Sequence, residues 1–148
     1  MPERKYIHYK GGYKYQLDRT YTDTLTIRPE KSIHTRYISL SILGELEIKY
    51  GYAWDGASGP TWDTPSSMRA GLIHDALYQL MRMNLLDRKW KSAIDILFER
   101  TLVDDGMWSW RARIWYRGVE KLAKGATLSE NKKKVQIAPP GDVGYLGS

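Results

Sequence analysis

The feature that most constrains this chain is a change of hydrophobic period near its middle. In TRYISLSILGELEIKYGYAW, residues 35–54, Ile38, Leu40 and Ile42 alternate with Tyr37, Ser39 and Ser41. Leu46 and Ile48 then alternate with Glu45, Glu47 and Lys49. A period of two is the mark of strands with one face on a core. Gly44 falls between the two runs and reads as a turn or bulge. Upstream, YKYQL and TDTLTI are rich in aromatic and β-branched residues and read as further strands.

Beyond residue 65 apolar residues recur instead at intervals of three and four, which is the helical period. Strands followed by helices predict an α+β fold: a small N-terminal antiparallel β-sheet, a three-helix C-terminal bundle and an extended C-terminal tail. Thr64 followed by Pro65 predicts a helix start, a hydroxyl cap with proline at the first helical position. The first helix is expected over about 65–84, ending near Asn84. Asp87 caps a second over about 88–104, and Gly106 closes it. The third, about 108–124, carries an apolar stripe of Trp108, Ala112, Trp115, Val119 and Leu122. Arg113, Arg117, Lys121 and Lys124 lie opposite.

The length of 148 residues suits one domain over 1–126: β-rich over 1–53, an ordered loop over 54–64 and helices over 65–125. The tail, 127–148, holds a Lys132–Lys133–Lys134 run and then VQIAPPGDVGYLGS. It has too little apolar surface to fold alone, and it reads as an arm lying on another subunit.

Composition narrows the function classes. Cysteine is absent, so disulfide scaffolds and thiolate zinc sites are excluded. No apolar run spans a membrane, and MPERKYIHYK is not a signal peptide. Without cysteine, a reducing compartment or a virus particle is the expected location. The formal charge of +6 favours an acidic partner. Nucleic acid ranks last among these, because no recognition module accompanies the charge. Six Trp and 11 Tyr against one Phe point to places with one apolar side and one wet side, an anionic membrane surface among them. The simpler reading is that most of these rings fill the core.

The chemistry concentrates in GLIHDALYQL, residues 71–80. On a helix His74 and Tyr78 are one turn apart, with Asp75 beside them and Leu72, Ile73, Leu77, Leu80 and Met81 around them. In the second helix Trp90, Ile94, Leu97, Phe98 and Thr101 form the expected stripe, and Asp95 falls beside it, on the side of Lys91, Phe98 and Leu102. A short connection makes the two helices antiparallel neighbours, which brings Asp95 across from His74 and Tyr78. A carboxylate on one imidazole nitrogen fixes the tautomer and leaves the other nitrogen as a base. Asp75 is then placed to bind a hard cation such as Ca²⁺. DGASGP, with Asp55, Gly56, Ser58 and Gly59, is a loop able to supply further oxygens. The alternative stays open: a satisfied helix pair, Asp95 bound to Lys91 four residues back, and an ordinary turn.

DGASGP, HDALY, AIDILF and WRARIWY, in that order over residues 51–122, resemble a phage and prophage family, domain of unknown function 1353. That resemblance implies a phage-encoded, virion-associated protein and no particular activity. The His-Asp pair with Tyr at the same spacing, a Gly-rich loop before it and an Asp before Phe after it, resembles the core of phospholipase A2, in particular its cysteine-free form in parvovirus capsids. This resemblance implies His74 as general base, Asp75 with the 55–59 loop as calcium ligands, and Tyr78 and Asp95 as the supporting network. The GASGPTW loop departs from that family's glycine pattern, and its members lack a β-rich N-terminal third. The competing expectation, also implied by the phage resemblance, is a non-catalytic tail, neck or capsid-associated protein whose arm, residues 127–148, binds other phage virion proteins or copies of this chain, in the virion or the host cytoplasm.

Overall fold

The structure is a computed structural model and describes residues 5–10, 15–54 and 65–122. The expected Thr64 cap, the DGASGP loop and the C-terminal arm lie outside the described residues.

Among the described residues, seven short strands precede three helices. The strands are β1 (Tyr9–Lys10), β2 (Tyr15–Leu17), β3 (Tyr21–Thr24), β4 (Ile33–His34), β5 (Ile38–Leu40), β6 (Glu45–Ile48) and β7 (Ala53–Trp54). They form two antiparallel sheets rather than one, ordered β1-β2-β7 and β3-β6-β5-β4. The cause is a bend shared by two long paired segments. β2 continues into β3, while β6, the partner of β3, continues into β7, the partner of β2, and both segments break at the same level. Gly51, at φ 91, turns one of them. The two segments stay bonded at the seam, Leu17 N–H to Tyr52 O at 2.8 Å and Gly51 N–H to Leu17 O at 2.7 Å.

The alternation in the sequence sets the inner face. Ile38, Leu40, Leu46 and Ile48 are at most 1% exposed. Ile42 breaks the pattern at 51%, because it lies in the β5–β6 turn, where period two no longer applies. Gly44 makes that turn. Its φ is 84, and its carbonyl accepts from Leu25 N–H at 2.8 Å.

Helix α1 (Pro65–Arg82) starts on the expected proline, and 13 of its 18 residues are buried. It is covered on nearly all sides. Leu72, Ile73, Leu77 and Leu80 share one core with the strands, and Ala70 belongs to a second core with Phe98, Leu102, Ala112, Trp115 and Val119. Asn84, at φ 59, closes the helix in the left-handed region that Asn tolerates. Asp87 caps a short 3₁₀ turn, Arg88–Trp90, by accepting from Lys89 N–H at 2.8 Å. Helix α2 (Lys91–Asp104) follows and ends at Gly106, φ 103.

Helix α3 (Ser109–Leu122) buries Ala112, Trp115 and Val119 as expected. Trp108 does not belong to the stripe. It precedes the helix, its carbonyl accepting from Arg111 and Ala112 N–H, and it is 71% exposed. A residue before the first turn is not held to the helical period, so its side chain leaves the core.

Candidate functional site

Helices α1 and α2 run antiparallel, as their side-chain pairs show. Stepping back along α1 from Tyr78 through His74 to Arg69, the partners advance along α2 from Asp95 through Phe98 to Asp105. The eight residues of the connection, 83–90, allow no other close packing.

This register brings four polar side chains together. Asp95 is 1% exposed. Its Oδ1 accepts from His74 Nε2–H at 3.0 Å and from the Tyr78 hydroxyl at 2.5 Å. Its Oδ2 accepts from Lys91 Nζ at 2.7 Å. The imidazole is buried among aromatic rings, with its centroid 4.0 Å from that of Tyr78 and 5.0 Å from that of Phe98. Phe98 in turn contacts Trp115 of α3 at 6.4 Å.

The electrostatics follow from burial and donors. Burial alone pushes the Asp95 carboxyl up, but the bonds from His74, Lys91 and Tyr78 outweigh it and hold the group below the usual carboxylate range. Burial pushes His74 below its ordinary value and outweighs the opposing pull of Asp95, while Lys91 and Arg82 push the same way as burial. Burial, then the bond to Asp95, pushes Tyr78 up, so it remains a phenol that donates. At neutral pH the group therefore holds an ionised aspartate, a lysine counter-ion, a neutral imidazole and a phenol. Because Nε2 carries the proton given to Asp95, Nδ1 keeps its lone pair.

The structure thus joins His74, Tyr78 and Asp95, and it includes Lys91 in the same set. The two sequence alternatives for Asp95, an imidazole partner and a Lys91 partner, occur together, one on each carboxylate oxygen. Asp75 is half-buried beside the group. Asp55, Gly56, Ser58 and Gly59 lie outside the described residues. Among the described residues no three His, Cys, Asp or Glu side chains form a metal-binding cluster. Calcium takes six to eight oxygens, so Asp75 alone does not make a calcium site.

A second buried polar cluster was not evident in the sequence. The Arg69 guanidinium, on α1, donates from Nη2 to Asp105 Oδ1 at 2.9 Å and from Nε to Asp105 Oδ2 at 3.0 Å. Nη1 donates to the Tyr21 hydroxyl at 3.0 Å, and that hydroxyl donates to Asp23 Oδ2 at 2.7 Å. Burial pushes Tyr21 above its ordinary value, with the Arg69 bond opposing. The one available signal was a charged residue inside the otherwise apolar run MRAGLI. The cluster fastens β3 and the end of α2 to α1, and it has the composition of a structural tie.

No family model, no curated protein and no solved structure matches this chain. No helix among the described residues is long and apolar enough to cross a membrane.

Proposed function

We propose that this chain is a phage-encoded, virion-associated protein whose His74–Asp95 pair is a phospholipase A2-like hydrolytic site. The observation that carries the chemical part is the bond from His74 Nε2 to a carboxylate that is 1% exposed. The phage assignment rests on the ordered motif set DGASGP, HDALY, AIDILF and WRARIWY.

In this reading Asp95 holds the imidazole in the Nε2–H tautomer, and Nδ1 is the base. A water oxygen attacks the ester carbonyl carbon as Nδ1 takes the water's proton. The C–O bond to the leaving alkoxide then breaks, and the imidazolium returns that proton to the alkoxide, giving acid and alcohol. Asp95 steadies the imidazolium while it exists. Tyr78 fixes the carboxylate's orientation, and Lys91 keeps it ionised. Lys91 also keeps the base neutral between turnovers, since a second cation beside it is opposed. Calcium would be held by Asp75 and the 55–59 loop and would polarise the ester carbonyl, while the base step uses His74 and Asp95 alone.

One observation favours a second reading. His74 is 6% exposed and sits between Tyr78 and Phe98. A group so enclosed also serves as a buried polar tie between α1 and α2. The chain is then a non-catalytic tail, neck or capsid-associated protein that reaches its neighbours through residues 127–148.

A lipid-hydrolysis assay separates the two. Wild type is compared with His74→Ala and Asp75→Ala, with calcium and with chelator, after circular dichroism has confirmed folding. The hydrolytic reading expects activity in wild type alone, lowered by chelation. Equal, zero activity in all three proteins leaves the structural reading.

A further inference from the structure

Helix α3 carries tryptophan on two opposite faces, and only one of them is packed. Ala112, Trp115 and Val119, at spacings of three and four, lie inward and are at most 3% exposed. Trp110, Arg113, Ile114 and Arg117 have the same spacings on the opposite side. Trp110 is 61% exposed and Ile114 46%, and Arg113 and Arg117 are exposed as well. Trp108, just before the helix, extends this line, with its ring centroid 6.1 Å from that of Trp110. Arg111 lies with both indoles on the wall of a hollow of about 300 Å³.

We propose that this ridge, Trp108, Trp110 and Ile114 with Arg111, Arg113 and Arg117, binds the headgroup layer of an anionic lipid bilayer. Three observations select that occupant. The apolar residues at the crest are mainly indoles, whose amphipathic rings settle at the boundary between hydrocarbon and water. The charges beside them are cationic and largely uncompensated. Arg113 pairs with Glu99 at 2.8 Å, and among the described residues no carboxylate pairs with Arg111 or Arg117. Of the nearby acids, Asp105 is held by Arg69, while Asp104 and Glu120, the latter bonded by the neutral Tyr116 hydroxyl, keep their charge but form no ion pair with Arg111 or Arg117. Last, the ridge is narrow. Two partly exposed indoles and one isoleucine offer on the order of 300–400 Å² of apolar surface, short of the roughly 450 Å² of apolar surface that each partner contributes to a stable protein interface. A bilayer makes up the difference with charge: each arginine near an anionic surface strengthens binding about fivefold.

The inference stands apart from the hydrolytic reading, since binding needs nothing from His74. It places a His74 site, if catalytic, on a protein already held at its substrate.

The test uses the full chain and large unilamellar vesicles, of phosphatidylcholine alone or of equal parts phosphatidylcholine and phosphatidylglycerol. Binding is read by co-sedimentation and by the blue shift of tryptophan emission. Wild type is expected to bind the anionic vesicles at least tenfold more tightly than the neutral ones, and to weaken as salt rises. Trp108→Ser with Trp110→Ser, and separately Arg111→Gln with Arg117→Gln, each lower binding at least tenfold with unchanged thermal midpoints. His74→Asn binds as wild type does, so a lack of hydrolysis and a lack of binding are read separately. No binding to anionic vesicles overturns the proposal. So does binding that none of the four substitutions alters, or a wild-type dimer lost in the tryptophan variant without any vesicle binding.

Discussion

Replacing Asp95 by Asn probes the site most directly, because it keeps the shape and removes the charge. In the wild type Oδ1 receives two donors and Oδ2 a third. A bond to an ionised acceptor contributes about 1.5–3 kcal/mol and a neutral one about 0.5–1.5 kcal/mol. His74 and Tyr78 therefore lose about 1 kcal/mol each. The amide NH₂ now faces Lys91 Nζ, donor against donor, and the ammonium swings away. The Lys91 side chain is 20% exposed, so water recovers part of that bond and the loss is about 0.5–1 kcal/mol. The sum is about 3 kcal/mol. Urea unfolding at pH 7, followed by tryptophan fluorescence, should show that loss with an unchanged denaturant slope. At a pH below the folded value of Asp95 the wild type is itself protonated, and the gap between the two proteins should shrink. If lipid hydrolysis is found in the wild type, it should fall about 10²–10⁴-fold in Asp95→Asn. A stability loss under about 1 kcal/mol at pH 7 would falsify the picture of a buried, ionised carboxylate holding three donors.

Gly44→Ala should cost about 2–4 kcal/mol in the same unfolding assay, because an added Cβ falls 2.2 Å from Leu25 O at a φ of 84. A loss below about 1 kcal/mol would mean that the β5–β6 turn is not built as described. Arg69→Met should cost about 3–5 kcal/mol by stranding Asp105 and Asp23, while Arg69→Lys recovers only part, since an ammonium does not form the forked contact. Equal stability of Arg69→Met and wild type would refute the tie. Acidification should lower the stability in two stages. Both His74 and Asp95 have folded values below their unfolded ones, so the unfolded chain binds more protons and stability falls as pH falls. The His74 contribution begins to be lost below about pH 6.5 and the Asp95 contribution below about pH 3.9. A thermal midpoint that stays level from pH 7 to pH 5, and equal in wild type and His74→Gln, would contradict the first stage.

The order of elements was legible because two periods, two and 3.6, are local properties of the chain, and the helix ends were legible because Pro65, Asn84, Asp87 and Gly106 act on their own turns. What was not legible depends on contacts between distant segments. Nothing near Tyr21 or Asp23 signals that both meet Arg69, 48 and 46 residues away. Nor does the strand pattern say that the β2–β3 and β6–β7 segments bend together, which is what divides one sheet into two. Trp108 differs for another reason: α3 begins at Ser109, and a side chain before the first helical turn does not follow the 3.6 period.

His74 and Asp95 form an intermediate case, since each was placed by its own helix and the pair by a short connection. That connection fixed the direction of packing, and the helical period fixed the faces, so a contact across 21 residues became deducible. Function is harder to deduce than geometry. A carboxylate with three donors is what a tautomer-fixed base requires, and it is also what any buried aspartate requires to be tolerated. The two demands diverge at Nδ1. A structural tie has no use for a lone pair that water can reach, whereas a base has no use for one that water cannot. Chemical modification of His74 by diethyl pyrocarbonate therefore bears on function more directly than any stability measurement. The hydrolytic reading requires modification faster than global unfolding allows, while a rate that simply follows unfolding assigns the four residues to the core.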